Sequence, residues 1–476
     1  MPASLHVLVV GAGVAGLSTA MLLAQDGHRV TVLERDPVAP PEPAVAWEEW
    51  DRRGIAQFHL PHFALPRFRD LLETELPAVS AALLAGGAEE YDLVDELPES
   101  VTGGRRDGDD RYVALAVRRP VLEAVVARSA ETQSGVTVRR GVVVRGVLTD
   151  TPDRTGVPRV VGVATSDGEQ VRADLVVDAG GRRSTMPALL DVSGGVAPAE
   201  EREDSGFVYF ARFFRADGPF PALQATVNQA YSSVSILTLP SDRGTWSVTF
   251  AASARDKELR VLRDADRWDA VARCFPANAA WLDAEPVGDV RVMAGIEDRI
   301  RHYVAGGRPV VTGVLPVGDA WACTNPSVGR GMSMALTHAV VLRDVVRAAD
   351  GEGPAELSRR WAEATAAVLE PWYRTTIGSD RHRLAEIDAD RCGVPYAPAD
   401  RGWTTSKALA AGSRRDPDVL RGMLDIASMQ ALPQEVLGRP GMVERVLAAG
   451  AGAPQYAVPG PDRRELLAAA GVTVPV

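Results

Sequence analysis

Two glycine-rich segments carry most of the chemistry this chain could do. The first, Gly11-Ala12-Gly13-Val14-Ala15-Gly16, follows an apolar run from Val7 to Val10 and opens a helix-like run from Leu17 to Gln25. Glu34 closes a second apolar run, Val30 to Leu33. Strand, glycine turn, helix, strand and acid in this order are the fingerprint of a dinucleotide-binding βαβ unit. Gly11 permits the tight turn, Gly13 lets backbone approach a pyrophosphate, and Gly16 lets helix and strand pack closely. The helix start then offers free N–H groups and a positive dipole end to phosphate. Glu34 would accept hydrogen bonds from the adenosine ribose hydroxyls. Alone, this segment fits NAD and FAD equally.

The second segment makes the choice. Pro309 to Val317 reads as a strand ending in Gly318-Asp319, and Pro326-Ser327-Val328-Gly329-Arg330-Gly331 then leads into a long helical pattern from Met332 to Ala348. A ribityl chain carries hydroxyls that need a fixed acceptor, and an aspartate at a strand's C-terminal end supplies one. Gly329 and Gly331 would let backbone lie against a flat isoalloxazine ring. The helix start beyond them would stabilise negative charge on the reduced ring. The expected cofactor is therefore FAD.

At these residues the chain resembles the FAD-dependent aromatic hydroxylase-like family, the single-chain flavoprotein monooxygenases, with related epoxidases and geranylgeranyl reductases. The resemblance covers residues 1–350. It implies non-covalent FAD and an oxidant formed from O2 as a flavin C4a-hydroperoxide, so the protein supplies a dry cavity, orientation and electrostatics. No nucleophile–base pair is required, and no GxSxG or HExxH occurs. By the same resemblance Ala15, Pro326 and Met332 join the cofactor-binding set, and Arg119, before Pro120-Val121-Leu122, lies along the phosphate–ribityl stretch. Arg35 could stack near the adenine. The stretch Arg52 to His62 resembles the loop that passes the isoalloxazine ring, making Gln57, His59 and His62 candidates for contacts there. Trp321 and Cys323 are expected as packing beside the cofactor. One family motif is altered: Gly180-Gly181 stands where relatives carry Asp-Gly, with Asp178 two residues earlier and Arg183 and Ser184 at the trailing positions. Electrons would come from NAD(P)H or from a separate flavin reductase. The leading reading is hydroxylation or epoxidation of a hydrophobic small molecule in specialised metabolism. A flavin-dependent reductase or dehydrogenase of a prenyl-like substrate, and a redox-neutral flavin-containing cyclase, remain alternatives. A halogenase is disfavoured, since no WxWxIP occurs and no lysine precedes Lys257.

The elements that must position these residues follow from the pattern. The expected fold is α/β: a Rossmann-like FAD-binding domain with an inserted mixed β-sheet substrate domain and a helical C-terminal region. The FAD-binding domain would span 1–185, with a β-meander at 136–170, and resume over 296–352; 186–295 would be the substrate domain and 353–476 the helical region. Val136 to Asp178 reads as three strands with an Asp167-Gly168 turn. Aromatic-rich alternating strands are expected over Gly206–Phe214, Tyr231–Leu239 and Gly244–Phe250. A net charge of −11 argues against a nucleic-acid or anionic membrane surface. Val7 to Ala24 is uncharged, but its glycine spacing reads as strand–turn–helix rather than a membrane span. Three scattered cysteines, Cys274, Cys323 and Cys392, suggest neither disulfide nor zinc and point to the cytoplasm.

Overall fold

Val7, Leu8 and Val9 are fully buried, Val7 and Val9 under helices and Leu8 under the strands around Val160, Val163 and Val171 on the other face. They belong to β1 (His6–Val10), the centre of a parallel sheet with β2 (Arg29–Glu34), β3 (Val136–Arg140), β4 (Leu175–Asp178) and β9 (Val314–Pro316), ordered β9-β4-β1-β2-β3. The computed structural model describes residues 4–150, 156–193, 197–224, 226–349 and 351–473; residues 474–476 of the expected C-terminal coil lie outside them. Three helices pack together beside the sheet: α1 (Val14–Gln25), α2 (Arg119–Thr132) and α3 (Gly331–Ala348). The turn from β1 to α1 depends on Gly11. Its φ is +110°, and a Cβ there would stand 2.4 Å from the carbonyl oxygen of Ala179. Only glycine lets the chain leave β1 so close to the end of β4.

Between Val136 and Asp178 the chain makes five strands rather than three. The first and last are β3 and β4 of the parallel sheet; Val144–Asp150, Arg159–Thr165 and Gln170–Arg172 form an antiparallel meander. Two breaks explain the difference. Gly141, at φ +73°, turns the chain out of β3, and the Asp174 N–H donates to the His6 carbonyl, drawing the chain from the meander into register with β1.

A second sheet holds Asn228–Ala230 and β5 (Phe207–Arg215), β6 (Val234–Pro240), β7 (Thr245–Ser253) and β8 (Glu285–Met293). Its paired strands are all antiparallel rather than mixed. Alternation is also lost: every residue of β6 and β7 is buried, because helices cover the outer face as well. Trp268, Phe275 and Trp281 lie against Phe250 and Trp246 there. The helix α4 (Pro354–Val368) packs on α3 instead, while α5 (Glu370–Arg391) and α6 (Pro417–Ala427) bring Trp372, Tyr373, Leu420 and Leu424 into one core with Phe210, Trp246 and Phe250. The turn between β6 and β7 is fixed to α2 by a buried ion pair. Arg118 donates from Nε and Nη2 to Asp242, with the closest contact at 2.7 Å. Among the described residues no helix is long and apolar enough to cross a membrane.

His338, on α3, joins three elements. The Gly318 N–H donates to its Nδ1 (3.0 Å), Nε2 faces Thr365 Oγ1 (3.2 Å), and its ring stacks on Trp361. An amide nitrogen only donates, so the proton sits on Nε2. Burial pushes this imidazole down to about 3. The unfolded chain takes up that proton near pH 6.5, so stability is lost as pH falls from about 6.5 toward 3. Denaturant unfolding of the apoprotein at pH 8 and pH 5 should show this loss, and His338→Gln should show a smaller one. An identical pH dependence in the variant would reject the assignment.

Candidate active site

One cavity of about 1420 Å³ collects nearly all the residues singled out in the sequence. Its lining includes Gly11, Gly13, Ala15, Glu34, Arg35, Gln57, His62 and Arg119, together with Gly318, Asp319, Pro326, Gly329, Gly331 and Met332. Three candidates do not reach it. Gly16 is packed under Gly11. His59 sits among Trp47 and Phe58 with Nε2 3.0 Å from the Trp50 carbonyl. Cys323 is buried against Glu297, its thiol pushed up to about 11 by burial.

Glu34 and Arg119 are the two ends of a buried chain of charges. Arg52 donates to Glu34 Oε2 and to Glu123 Oε2, both at 2.6 Å, and to the Ala12 carbonyl at 3.0 Å. Glu123 Oε1 accepts from Arg119 Nε at 2.6 Å, and Arg119 Nη1 lies 3.2 Å from His62 Nε2. Burial alone would raise Glu123, but Arg119 and Arg52 hold its carboxyl below the ordinary range. His62 Nδ1 lies 2.9 Å from the Leu60 carbonyl, so that nitrogen carries the proton and Nε2 accepts from Arg119. Burial, then Arg119, pushes His62 down to about 3, and it stays neutral. Glu34 also accepts from the N–H groups of Ala12 and Asp36. A carboxylate offers about four acceptor positions, so three bonds leave room for about one ribose hydroxyl.

Asp319 is the opposite case. It is half-buried, lines the cavity, and makes no hydrogen bond or ion pair with its side chain among the described residues. An acceptor in this state suits a ligand carrying hydroxyls. The first turn of α1 has no side-chain cap, and a Cβ at Gly13 would meet only open space. Phosphates could therefore reach the N–H groups of α1, and the residues present fit a dinucleotide.

The altered turn is closed on itself. Asp178 accepts from the Gly180 N–H (3.0 Å) and from Ser184 Oγ (2.6 Å), and burial raises its pKa. Gly180 has φ −68°, so no left-handed conformation demands glycine there; a Cβ would stand 3.1 Å from Asp178 Oδ1. Space, not backbone angle, limits that position.

Arg52, Glu123 and His338 went unassigned in the sequence. Glu123 carried one signal: it stands four residues after Arg119 on one helix face. Nothing separated Arg52 from its neighbour Arg53 except burial, which only the fold reveals.

Beyond Asp319 the cavity runs between the antiparallel sheet and α6. The lining residues there include Tyr209, Leu237, Leu239, Thr249, Met423 and Leu424, and none from β5–β7 or α6 is charged.

Two substitutions separate the roles. Asp319→Ala removes an acceptor worth about 1–3 kcal/mol and should weaken FAD binding by roughly ten- to a hundredfold in a titration of apoprotein, with stability unchanged. Glu34→Ala leaves Arg52 with one carboxylate fewer in a buried site, and should cost about 3–5 kcal/mol of folding stability as well as affinity. Equal FAD affinity in Asp319→Ala, or an unaltered denaturation midpoint in Glu34→Ala, would reject these assignments.

Comparison with known proteins gives the family. The family described as FAD dependent oxidoreductase (DAO) matches residues 6–42. Protein Rv3254 of Mycobacterium tuberculosis is 30% identical over 434 residues, covering 85% of this chain and 84% of its own. Kynurenine 3-monooxygenase of Salinispora arenicola is 26% identical over 430 residues, covering 85% and 87%. The solved structure of PqsL, a probable FAD-dependent monooxygenase from Pseudomonas aeruginosa, superposes with a TM-score of 0.58 at 19% identity, over 81% of this chain and 99% of that one. The chain thus belongs to the FAD-dependent monooxygenases and is an FAD-dependent oxidoreductase.

Proposed function

We propose that this protein inserts one oxygen atom of O2, as hydroxyl or epoxide, into a neutral, apolar small molecule. The observation that carries the substrate class is the uncharged wall of β5–β7 and α6, continuous with the flavin end of the same cavity. An ionised substrate group would lie there without a counter-charge, at a cost of several kcal/mol. Bound reduced FAD supplies the electrons that activate O2. The chain's own residues bind and shelter. Asp319 holds the ribityl hydroxyls, and Glu34 holds one ribose hydroxyl. Arg119, kept in place by Glu123, lies along the phosphate–ribityl stretch, while the first turn of α1 receives the pyrophosphate. Gly329 and Gly331 would let backbone lie against the ring, and Gln57 and neutral His62 line the same cavity. The aliphatic side chains exclude water, which protects the oxidant.

The electrons come from NAD(P)H, directly or through a separate flavin reductase. The second route is favoured by the turn at Gly180, where Asp178 bonds only inward. The free state of Cys274, Cys323 and Cys392 fits a cytoplasmic site of action.

Anaerobic mixing of the FAD-loaded protein with NADH or NADPH, with and without an added flavin reductase, tests the electron route. Slow direct reduction and fast reduction with the partner are expected; rapid, saturable reduction by NADPH alone would overturn that preference. For the substrate class, a neutral polycyclic aromatic and its carboxylated analogue are compared by perturbation of the flavin spectrum. The neutral compound should bind at least about tenfold more tightly. Preference for the carboxylate would sink the proposal.

A further inference from the structure

A second, smaller cavity of about 280 Å³ opens on the far side of the Pro326–Gly331 loop, lined by Glu203, Asp204, Arg255, Asp298, Asp380 and Arg381. Asp380, on α5, links the two cavities. Its side chain borders the small one, yet its oxygens bond residues that serve the large one. Ser327 Oγ donates to Asp380 Oδ1 at 2.7 Å, and Ser327 lines the main cavity. Asn325 Nδ2 donates to Asp380 Oδ2 at 3.1 Å, while Asn325 Oδ1 accepts from Tyr209, another main-cavity residue. Asp298 fixes the same loop by accepting from the Asn325 N–H at 2.5 Å. No cation forms an ion pair with Asp380 among the described residues. Arg330 donates to Thr376 and lies over Trp372, Arg381 pairs with Glu203, and Arg255 pairs with Asp388.

Monooxygenation gives this contact a task. Placing one oxygen atom in a substrate and reducing the other to water consumes two electrons and two protons. A hydride brings both electrons but only one proton. The other has to reach the flavin end of the cavity from solvent.

We propose that Asp380 and Ser327 form the proton relay between the small outer cavity and the flavin cavity. Protonated Asp380 passes its proton from Oδ1 to Ser327 Oγ as the Ser327 hydroxyl proton moves on to an acceptor in the flavin cavity. The carboxylate then takes a proton from water in the small cavity, and the hydroxyl rotates back. One proton crosses per cycle, no electron moves, and neither residue is consumed. The 2.7 Å separation is within direct transfer distance. The branch through Asn325 positions the carboxylate but carries no proton, because an amide is a poor relay. Burial, reinforced by Asp298 and opposed by the bonds from Ser327 and Asn325 and by Arg330, pushes the Asp380 carboxyl up to about 7. It is thus poised to gain and lose a proton near neutrality.

The relay rests on the flavin reading above, and its test separates the two. Infrared titration of the apoprotein should show a carboxyl C=O band that disappears near pH 7 and is missing in Asp380→Asn. Chemically reduced, FAD-loaded protein is then mixed with O2 across a pH series, following the return of oxidised flavin. The wild-type rate should fall above about pH 7; Asp380→Asn and Ser327→Ala should lose that break and run about tenfold slower or more. Formate, small enough for the outer cavity, should restore Asp380→Asn in part and leave Ser327→Ala unchanged. If Asp380→Asn does not fold, Ser327→Ala decides. An unchanged pH profile in either flavin-loaded variant, or a wild type without the infrared band, overturns the relay. A wild type that cannot load FAD rejects the flavin reading and the relay with it.

Discussion

The cofactor end of this molecule depends on one buried guanidinium. Arg52 stands between Glu34 and Glu123 and also bonds the Ala12 carbonyl in the glycine turn. Two carboxylates and two guanidiniums alternate from Glu34 to Arg119, so charge is balanced in a place where isolated charges would be untenable. The arrangement fixes the loop from Arg52 to His62 against the βαβ unit and sets the rotamer of Arg119. It also keeps His62 neutral, since Arg119 stands where a second imidazole proton would have to sit. Loop position, ribose acceptor and imidazole tautomer are therefore one constraint rather than three.

The acidic groups divide by what has already claimed them. Among the described residues, Glu34 and Asp178 are largely satisfied by the protein, Asp319 has no hydrogen-bond partner, and Asp380 is held by neutral donors alone. That division leaves Glu34 about one free acceptor position, leaves Asp319 open to a ligand, and sets Asp380 apart as the carboxyl of the proposed relay. None of it follows from residue type.

Much of the fold was legible because backbone demands leave local marks. Gly11, Glu34 and Gly318-Asp319 announced their elements, since tight turns and strand ends restrict residue choice. Pro66, Pro77 and Pro120 likewise mark helix starts. The strand count between Val136 and Asp178 was misread because a glycine bend and an exchange of sheets look like one continuous strand. The strands β6 and β7 gave no alternation, because both of their faces are covered. In the site, residues that approach ligand through backbone were visible. Those acting through buried side-chain pairs, Arg52, Glu123, Arg118 with Asp242, His338 and Asp380, were not. Apart from Arg119 and Glu123 on one helix, these partners lie 18 to 124 positions apart, at no periodic interval that a sequence pattern could show.

The place of β9 has a consequence for synthesis of the chain. Its neighbour β4 is wholly buried in the finished sheet, with β1 on one side and β9 on the other. The ribosome delivers β4 early, but Val314–Pro316 emerges only after the whole antiparallel sheet has been made. Until then Leu175, Val176 and Val177 present an open apolar edge, the kind that recruits strands from other nascent chains. The interval ends when Val314–Pro316 pairs with β4, and the last strand of the nucleotide fold serves as its closing latch.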